Sequence, residues 1–365
     1  MLDLSFPIEL DIMLTWKCQC NCIFCEPWVG HNRTKFPGEM TTEQVLQIVK
    51  DASSHGPCLF FLTGGEPFLR KDLPDIIAYF TENNLIYEIS SNGLFDEQIL
   101  DAAIDAGLKS FQISIMGKNS YQRVTQSKNE YTKVLSNVRL AADKGLHVKV
   151  SIVPLIFNLD ELTSIAQDVC ECGAKVFRIL RFMPFRPYML KWAIPLGQLA
   201  SRLPEVYEIC QRHGVVLDVN ETPTGHETYP VSDKFYHPME TTCPAGKRRL
   251  TILPDGQAVP CYSMIHKELL LGNVLTEGIE QVWNNPRLVE FRKMSPSDYT
   301  GPCSTCENKE FCYSCRAIAL NCSGSIYASD ISCYKSQEYW SDRCNDDQCV
   351  HCVYDCSEEF KLNYG

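Results

Sequence analysis

No stretch of this 365-residue chain approaches the roughly 18 consecutive apolar residues that a membrane-spanning helix requires. Its first residues, Met1-Leu-Asp-Leu-Ser-Phe-Pro, lack both the cationic and the apolar segment of a secretory signal, so the expected compartment is the cytosol, the chain being cytoplasmic. Positive charge is scarce: 34 Lys and Arg against 45 Asp and Glu leave a formal net charge of −11, and no polybasic run is present. Nucleic acid and anionic membrane both bind through basic patches that neutralise phosphates, so neither is an expected partner. Internal repeats and low-complexity tracts are missing too, and an array of repeated units is not expected. What the chain has in quantity is cysteine, 20 residues of it. Secreted disulfide scaffolds of that kind are short and carry a signal; in a reducing compartment the same thiols read as metal ligands. They crowd into an opening loop and the region from Cys303 to Cys356, with few between residues 59 and 242. A hydrophobic content of 45% is ample for a buried core, and the length suits one large domain and a smaller one.

Short apolar runs alternate with amphipathic segments. Strands are predicted over residues 8–14, 59–63, 86–90, 110–115, 148–153 and 176–181, with a weaker one at 215–219. The first helix opens on a capping-box pattern, Thr41 with Gln44. Further helices are predicted over residues 73–81, 96–106, 132–144, 160–172 and 205–213. Leu59-Phe-Phe-Leu-Thr is the kind of continuous run that a strand buried on both faces produces. About six such βαβ units predict an α/β fold, a partial (β/α)6 TIM-like barrel over residues 1–221, with a doubly wound open sheet as the rival. In either, ligands bind at the carboxyl ends of the strands. Residues 222–242 read as a linker or a loop crossing the mouth. Residues 243–340 form a cysteine-rich domain with a hairpin turned at Pro254-Asp255-Gly256 and helices at 279–284 and from Pro286. Residues 341–365 are a cysteine-rich tail.

The loop after the first strand reads Cys18-Gln-Cys-Asn-Cys22-Ile-Phe-Cys25. Taken as C-x3-C-x2-C, Cys18, Cys22 and Cys25 set three thiolates close together. Three soft donors suit a [4Fe–4S] cube, which wants four ligands, and leave one iron open. On these residues alone a zinc site and a disulfide knot are the alternatives, and Cys20 allows a slipped register.

The spacing, with an aromatic residue just before the last cysteine, resembles the signature of the radical S-adenosylmethionine (SAM) enzymes. The resemblance implies that the amino acid part of SAM fills the open iron site. Gly64-Gly65-Glu66-Pro67, one βα unit later, matches the same family; there the motif contacts the amino group of SAM, through close backbone approach at the glycines and a carboxylate that accepts from an ammonium group. By the same resemblance Phe24 lies against adenine, and Ser90, Ser91, Asn92 and Ser114 line the SAM pocket. Met116 stands where the family often has an acidic residue, so one polar contact is missing or replaced.

The last third carries a second match. Cys243-x12-Gly256-x4-Cys261, Cys303-x2-Cys306-x5-Cys312, then Cys315 and Cys333, resemble the SPASM domain, an extension of radical SAM enzymes that holds two auxiliary [4Fe–4S] clusters. Leu271-Gly-Asn-Val and Val282-Trp-Asn-Asn-Pro-Arg-Leu look like that domain as well. The resemblance assigns Cys243, Cys261 and Cys315 to the first auxiliary cluster, and Cys303, Cys306, Cys312 and Cys333 to the second. The family has three residues where this chain has two between Cys312 and Cys315, so Cys322 is an available substitute for Cys315, and the first cluster has no assigned fourth ligand. The tail, Cys344-x4-Cys349-x2-Cys352-x3-Cys356, lies outside the matched pattern. It is expected to bind a further iron–sulfur cluster or zinc, to complete the first auxiliary cluster, or to donate a hydrogen atom. Cys58, Cys170, Cys172 and Cys210 read as small packing residues. Arg178, Arg181 and Glu221 read as exposed rim charges, with a substrate anchor or an acid–base pair as the alternative. His226 and His237 read as surface residues.

The resemblance implies an enzyme in which the cluster passes an electron into SAM and a 5′-deoxyadenosyl radical then removes a hydrogen atom from substrate; the cofactor carries the hard chemistry. A one-electron reductant such as flavodoxin or ferredoxin is implied as a partner, and the auxiliary clusters would take the electron back or help to bind substrate. The primary expectation is a maturase of a ribosomally made peptide, forming a thioether or carbon–carbon crosslink or epimerising a residue. A dehydrogenase or epimerase of a small molecule in cofactor or antibiotic biosynthesis is the second. An iron–sulfur scaffold or electron carrier is the third, in which Gly-Gly-Glu-Pro would have no purpose.

Overall fold

Successive residues of a strand point to opposite faces, and in this chain the two faces have different chemistry. The structure, a computed structural model, describes residues 4–25, 38–194, 196–220, 243–307, 309, 312, 314–331 and 333. Its strands are β1 (Glu9–Met13), β2 (Leu59–Thr63), β3 (Ile86–Ser91), β4 (Ser110–Ser114), β5 (His147–Ile152), β6 (Val176–Leu180), β7 (Val216–Asn220), β8 (Arg249–Ile252) and β9 (Ala258–Val259). They form one sheet in the order β7-β6-β5-β4-β3-β2-β1-β8-β9, parallel throughout except for the β8–β9 hairpin. Among the described residues no pairing joins β7 to β9, so the barrel is partial and open.

Helices α1 (Thr42–Ser54), α2 (Leu73–Glu82), α3 (Glu97–Asp105), a short α4 (Tyr121–Thr125), α5 (Tyr131–Asp143), α6 (Leu162–Glu171) and α7 (Leu196–Arg212) follow the strands. The capping box of α1 forms as expected: Gln44 N–H donates to Thr41 Oγ1 at 3.3 Å and Thr41 N–H to Gln44 Oε1 at 2.9 Å. Phe60, Leu62, Ile89, Phe111, Ile113, Val148, Val150, Phe177 and Ile179 are fully buried on the helix-facing side of the sheet. Each contributes about 1.5–3 kcal/mol by leaving water.

The opposite, concave face is polar. Arg178 on β6 donates through Nε to Asp218 Oδ2 at 2.6 Å and through Nη1 to Gln112 Oε1 at 2.9 Å, and lies 3.6 Å from Glu88 Oε1. Lys149 Nζ closes the chain at 3.2 Å from Glu88 Oε2. The register makes these side chains neighbours: Gln112 stands opposite Lys149, and Arg178 opposite Asp218. Arg178 is therefore a strut across the lumen and not an exposed rim charge; the sequence could not show partners on three other strands.

One further difference has a local cause. The helix predicted over 205–213 begins at Leu196 and runs through Pro204. Its buried face, Leu199, Leu203, Val206 and Cys210, keeps helical spacing across the proline and outweighs the lost backbone bond. Cys170 on α6 and Cys210 on α7 are buried, as packing residues.

After residue 242 the chain returns to the barrel before leaving it. The hairpin, expected within residues 243–340, adds β8 in parallel beside β1. Helices α8 (Val274–Glu277), α9 (Ile279–Trp283) and α10 (Pro286–Lys293) follow, then α11 (Pro302–Thr305) and α12 (Arg316–Ser323). Trp283 is fully buried in the barrel's own core, and its indole N–H donates to Leu4 O at 2.9 Å. A second, smaller core gathers Met264, Phe291, Met294, Ile318 and Ile331. No described helix is long and apolar enough to cross a membrane. Glu221, the segment 222–242 with His226 and His237, and the tail cysteines Cys344, Cys349, Cys352 and Cys356 lie outside the described residues.

Candidate functional site

The cysteine loop leaves β1 as if its strand continued. Leu14 N–H donates to Thr63 O, Gly65 N–H to Thr15 O and Glu66 N–H to Lys17 O, each at 2.7 Å. This pairing needs glycine twice. Gly64 has φ +136°, and a Cβ on Gly65 would stand 2.0 Å from Lys17 O, where no side chain fits. The glycines thus bring the backbone of the motif against the cysteine loop. Glu39 Oε1 accepts from Thr15 Oγ1 and Trp16 N–H at 2.8 Å, and Arg70 Nη1 donates to Leu14 O at 2.8 Å. From the other side α4 closes on the loop: Asn21 N–H donates to Thr125 O at 2.8 Å and Ile23 N–H to Val124 O at 2.9 Å. The sequence signalled neither Glu39, Arg70 nor α4, since none belongs to a recognisable motif.

Cys18 and Cys20 are buried, Cys22 and Cys25 half-buried, in surroundings of Met13, Trp16, Leu253 and Val259. A hydrogen bond to Cys20, with burial, pushes the Cys18 thiol up. Cys20, pulled down by that bond but raised by another to Cys22 and by burial, is pushed up to about 12. Asn92 Nδ2 donates toward Cys18 Sγ at 3.6 Å and to Gln19 Oε1 at 3.0 Å, fixing the first cysteine from the end of β3. The donor set is soft and sulfur-only, which suits an iron–sulfur cluster. Cys18, Cys20, Cys22 and Cys25 share this one loop and its apolar surroundings.

Glu66 is fully buried and makes three hydrogen bonds. Its Oε1 accepts from Phe68 N–H at 3.1 Å and Ser91 Oγ at 2.9 Å, and its Oε2 from Asn92 N–H at 2.6 Å. Burial pushes this carboxyl up to about 7, against the three donors that pull it down. Glu66, Ser91 and Asn92 therefore act together, joining the ends of β2 and β3 to the cysteine loop. Ser90 and Ser114 fall elsewhere, on the concave face with Glu88 and Gln112; Ser114 Oγ lies 3.4 Å from Ser151 Oγ. Phe24 is half-buried against the main core, and Pro67 opens the turn after Glu66.

The C-terminal thiols form two groups. Cys243 and Cys315 stand close enough to Cys261 to raise its thiol, on top of the larger effect of burial. Burial pushes Cys315 up to about 12, with Arg181 opposing and Asp330 and Cys243 adding. Cys322 is buried beside this group: its thiol lies 3.7 Å from Pro184 O and is raised by burial, then by Asp330 and Cys315. In the second group, Cys312 is pushed up to about 12 by burial, with contributions from Cys333 and Cys303. Ser314 binds both of its neighbours, through N–H to Cys312 Sγ and through Oγ at 3.3 Å from Cys303 Sγ. Cys306 caps α11 one turn after Cys303. Both groups have the soft donors that iron–sulfur clusters take.

Arg316, 1% exposed, holds the loops between them. It donates to Ser314 O and Ile326 O at 2.7 Å and to Ala328 O at 2.9 Å, with its guanidinium 3.9 Å from the centre of the Tyr299 ring. Arg181 is not an exposed rim charge either: its Nη2 donates to Asp330 Oδ2 at 2.7 Å.

The comparisons with known proteins agree with this layout. The radical SAM superfamily model matches residues 12–169, and the iron–sulfur cluster-binding SPASM model residues 243–307. The chain is 24% identical over 336 residues to the AdoMet-dependent heme synthase of Methanosarcina barkeri, across 88% of this chain and 94% of that one. It is 25% identical over 339 residues to the PqqA peptide cyclase of Granulibacter bethesdensis, across 90% and 87%. The fold matches that of Streptococcus suis SuiB bound to precursor peptide SuiA with a TM-score of 0.73, at 16% identity and across 91% and 76% of the two chains. By these two models the chain carries a radical SAM domain followed by a SPASM iron–sulfur cluster-binding domain, and its open barrel with a Gly-Gly-Glu turn bonded to the cysteine loop agrees with them.

Proposed function

We propose that the chain is a maturase of ribosomally made peptides, introducing a thioether or carbon–carbon crosslink or epimerising a residue. The carrying observation is the mouth of the barrel. Loops after the carboxyl ends of β5 and β6, next to the free edge strand β7, expose Ile156 (47%) and Tyr188 (46%). An open rim with apolar and aromatic side chains suits an extended chain better than a small polar metabolite. The PqqA peptide cyclase and the SuiB complex with its precursor peptide support the same reading.

In this reading Cys18, Cys22 and Cys25 hold a [4Fe–4S] cluster with one open site, and Gly64, Gly65, Glu66, Pro67, Phe24, Ser90, Ser91, Asn92 and Ser114 form the SAM pocket. Bound there, cluster and SAM would supply a 5′-deoxyadenosyl radical when an electron arrives from a flavodoxin or ferredoxin. Glu66 keeps Asn92 in place, and Asn92 directs an amide N–H at Cys18. Ser114 and Ser151 offer hydroxyls to a ligand in the lumen. The cysteine groups of residues 243–340 hold two auxiliary [4Fe–4S] clusters that accept an electron or help to bind substrate. The tail cysteines are assigned a further cluster or zinc.

The test is anaerobic incubation of reconstituted protein with SAM, a reductant and candidate precursor peptides, followed by mass spectrometry and chiral analysis. The expected result is 5′-deoxyadenosine together with a peptide changed in mass or in residue chirality. Formation of 5′-deoxyadenosine with no candidate peptide altered, and with a small metabolite converted instead, would overturn the peptide reading in favour of a small-molecule enzyme, as the name of the heme synthase relative suggests.

A further inference from the structure

We propose that Asp330 is a positioning residue for the first auxiliary cluster, and that its ion pair with Arg181 sets the charge that this cluster feels from the barrel mouth. The inference rests on reading Cys315 as a ligand of that cluster. Residues 329 and 330 reach three cysteines through their backbone N–H groups. Ser329 Oγ accepts from Cys303 N–H at 2.9 Å, Asp330 Oδ2 from Cys315 N–H at 3.0 Å, and Asp330 O from Cys333 N–H at 3.1 Å. Both residues are only 1% exposed. One dipeptide thus orients cysteines of both auxiliary groups.

The charge at position 330 needs its own explanation. Burying a carboxylate costs several kcal/mol unless it is paired, and accepting one N–H does not require it. Ser329 does the same for Cys303 with a neutral hydroxyl. The charge is matched instead by Arg181, which follows the last residue of β6 directly and donates from the carboxyl-end rim of the barrel, where ligands of this fold bind. A buried pair in low dielectric, one member bonded to a ligand's own N–H, acts on the cluster by Coulomb's law and by fixing ligand geometry. Removing the negative member should make the cluster easier to reduce; removing the positive member should make it harder.

The experiment uses full-length protein carrying Cys18→Ala, Cys22→Ala and Cys25→Ala, reconstituted anaerobically so that the barrel cluster gives no signal. Iron and sulfide are counted, and the auxiliary clusters are titrated against potential by electron paramagnetic resonance. Cys315→Ala identifies the signal in question; if it keeps all of its iron and every signal, the ligand reading fails by itself. In the signal that Cys315→Ala removes, Asp330→Asn should shift the midpoint upward, Arg181→Gln downward, and the double variant should return close to the parent. Loss of that signal in Asp330→Asn combined with a downward shift in Arg181→Gln also supports the proposal. Shifts of one sign in both variants, no shift in Arg181→Gln, or no shift with full iron in both, would overturn it.

Discussion

The two thiol regions of this enzyme are built by opposite means. Cys18 to Cys25 sit within eight residues of one loop, and the fold has only to hold that loop still. It does so mainly with backbone, through Gly65, Glu66, Val124 and Thr125, with side-chain bonds from Glu39, Arg70 and Asn92 added. The C-terminal cysteines come from separate loops and helices, so the fold itself must gather them, and it uses buried polar side chains: Ser329, Asp330 and Arg316. Ligands close in sequence therefore require close backbone packing and glycine, whereas dispersed ligands require satisfied internal hydrogen bonds, each costly to leave unmade.

The contrast has a limit at Trp283, which belongs to the C-terminal third yet fills the barrel core. Trp283→Ala is expected to destabilise the whole chain by about 3–5 kcal/mol, read by denaturant unfolding, with both thiol regions losing iron in one transition. Loss of auxiliary iron alone would show that the two regions unfold independently.

Glu66 offers a sharper division. Between its ordinary value of 4.5 and about 7, the folded chain keeps a proton that the unfolded chain has released. Stability therefore falls as pH rises through that window, by about 3 kcal/mol, and is level above it. Glu66→Gln should remove this slope from unfolding midpoints taken below and above the window. An unchanged slope would assign the pH response to other groups.

Gly65→Ala tests the backbone contact directly. Overpacking of this kind costs about 1–3 kcal/mol, and here the obstacle is Lys17 O, a backbone atom. Iron at the barrel loop and 5′-deoxyadenosine formation should fall about tenfold at 1.4 kcal/mol, with auxiliary iron unchanged. Normal cleavage of SAM by this variant would contradict the role given to the glycine. Thr41→Ala is the smallest change, about 1 kcal/mol at the cap of α1; it should lower the unfolding midpoint and leave the iron content of both regions intact.

Much of this was legible in advance because period and spacing are local properties. The apolar runs of β1 to β7 announced a parallel sheet, and the thiol loop and Gly-Gly-Glu-Pro fell on its rim. What failed to show were partners across the fold. Arg178 and Arg181 looked like free rim charges because Asp218, Glu88 and Asp330 are distant in sequence. Nor did the sequence show that the hydroxyl of Ser91 is bound to Glu66. The helix through Pro204 was cut short because a proline weighs more in a sequence than in a packed helix whose apolar face continues past it.

The sequence by itself determined the donors and their chemistry: three closely spaced thiols, two glycines placed to let backbone meet backbone, and cysteines grouped for further clusters. Only the tertiary structure decided which buried charge answers which, that Glu66 reaches Ser91 and Asn92, and that Asp330 stands between Arg181 and Cys315. The reason is physical. Periodicity follows from backbone geometry that each residue carries with it, whereas the pairing of a buried charge depends on which distant side chain the packed core brings within hydrogen-bonding distance.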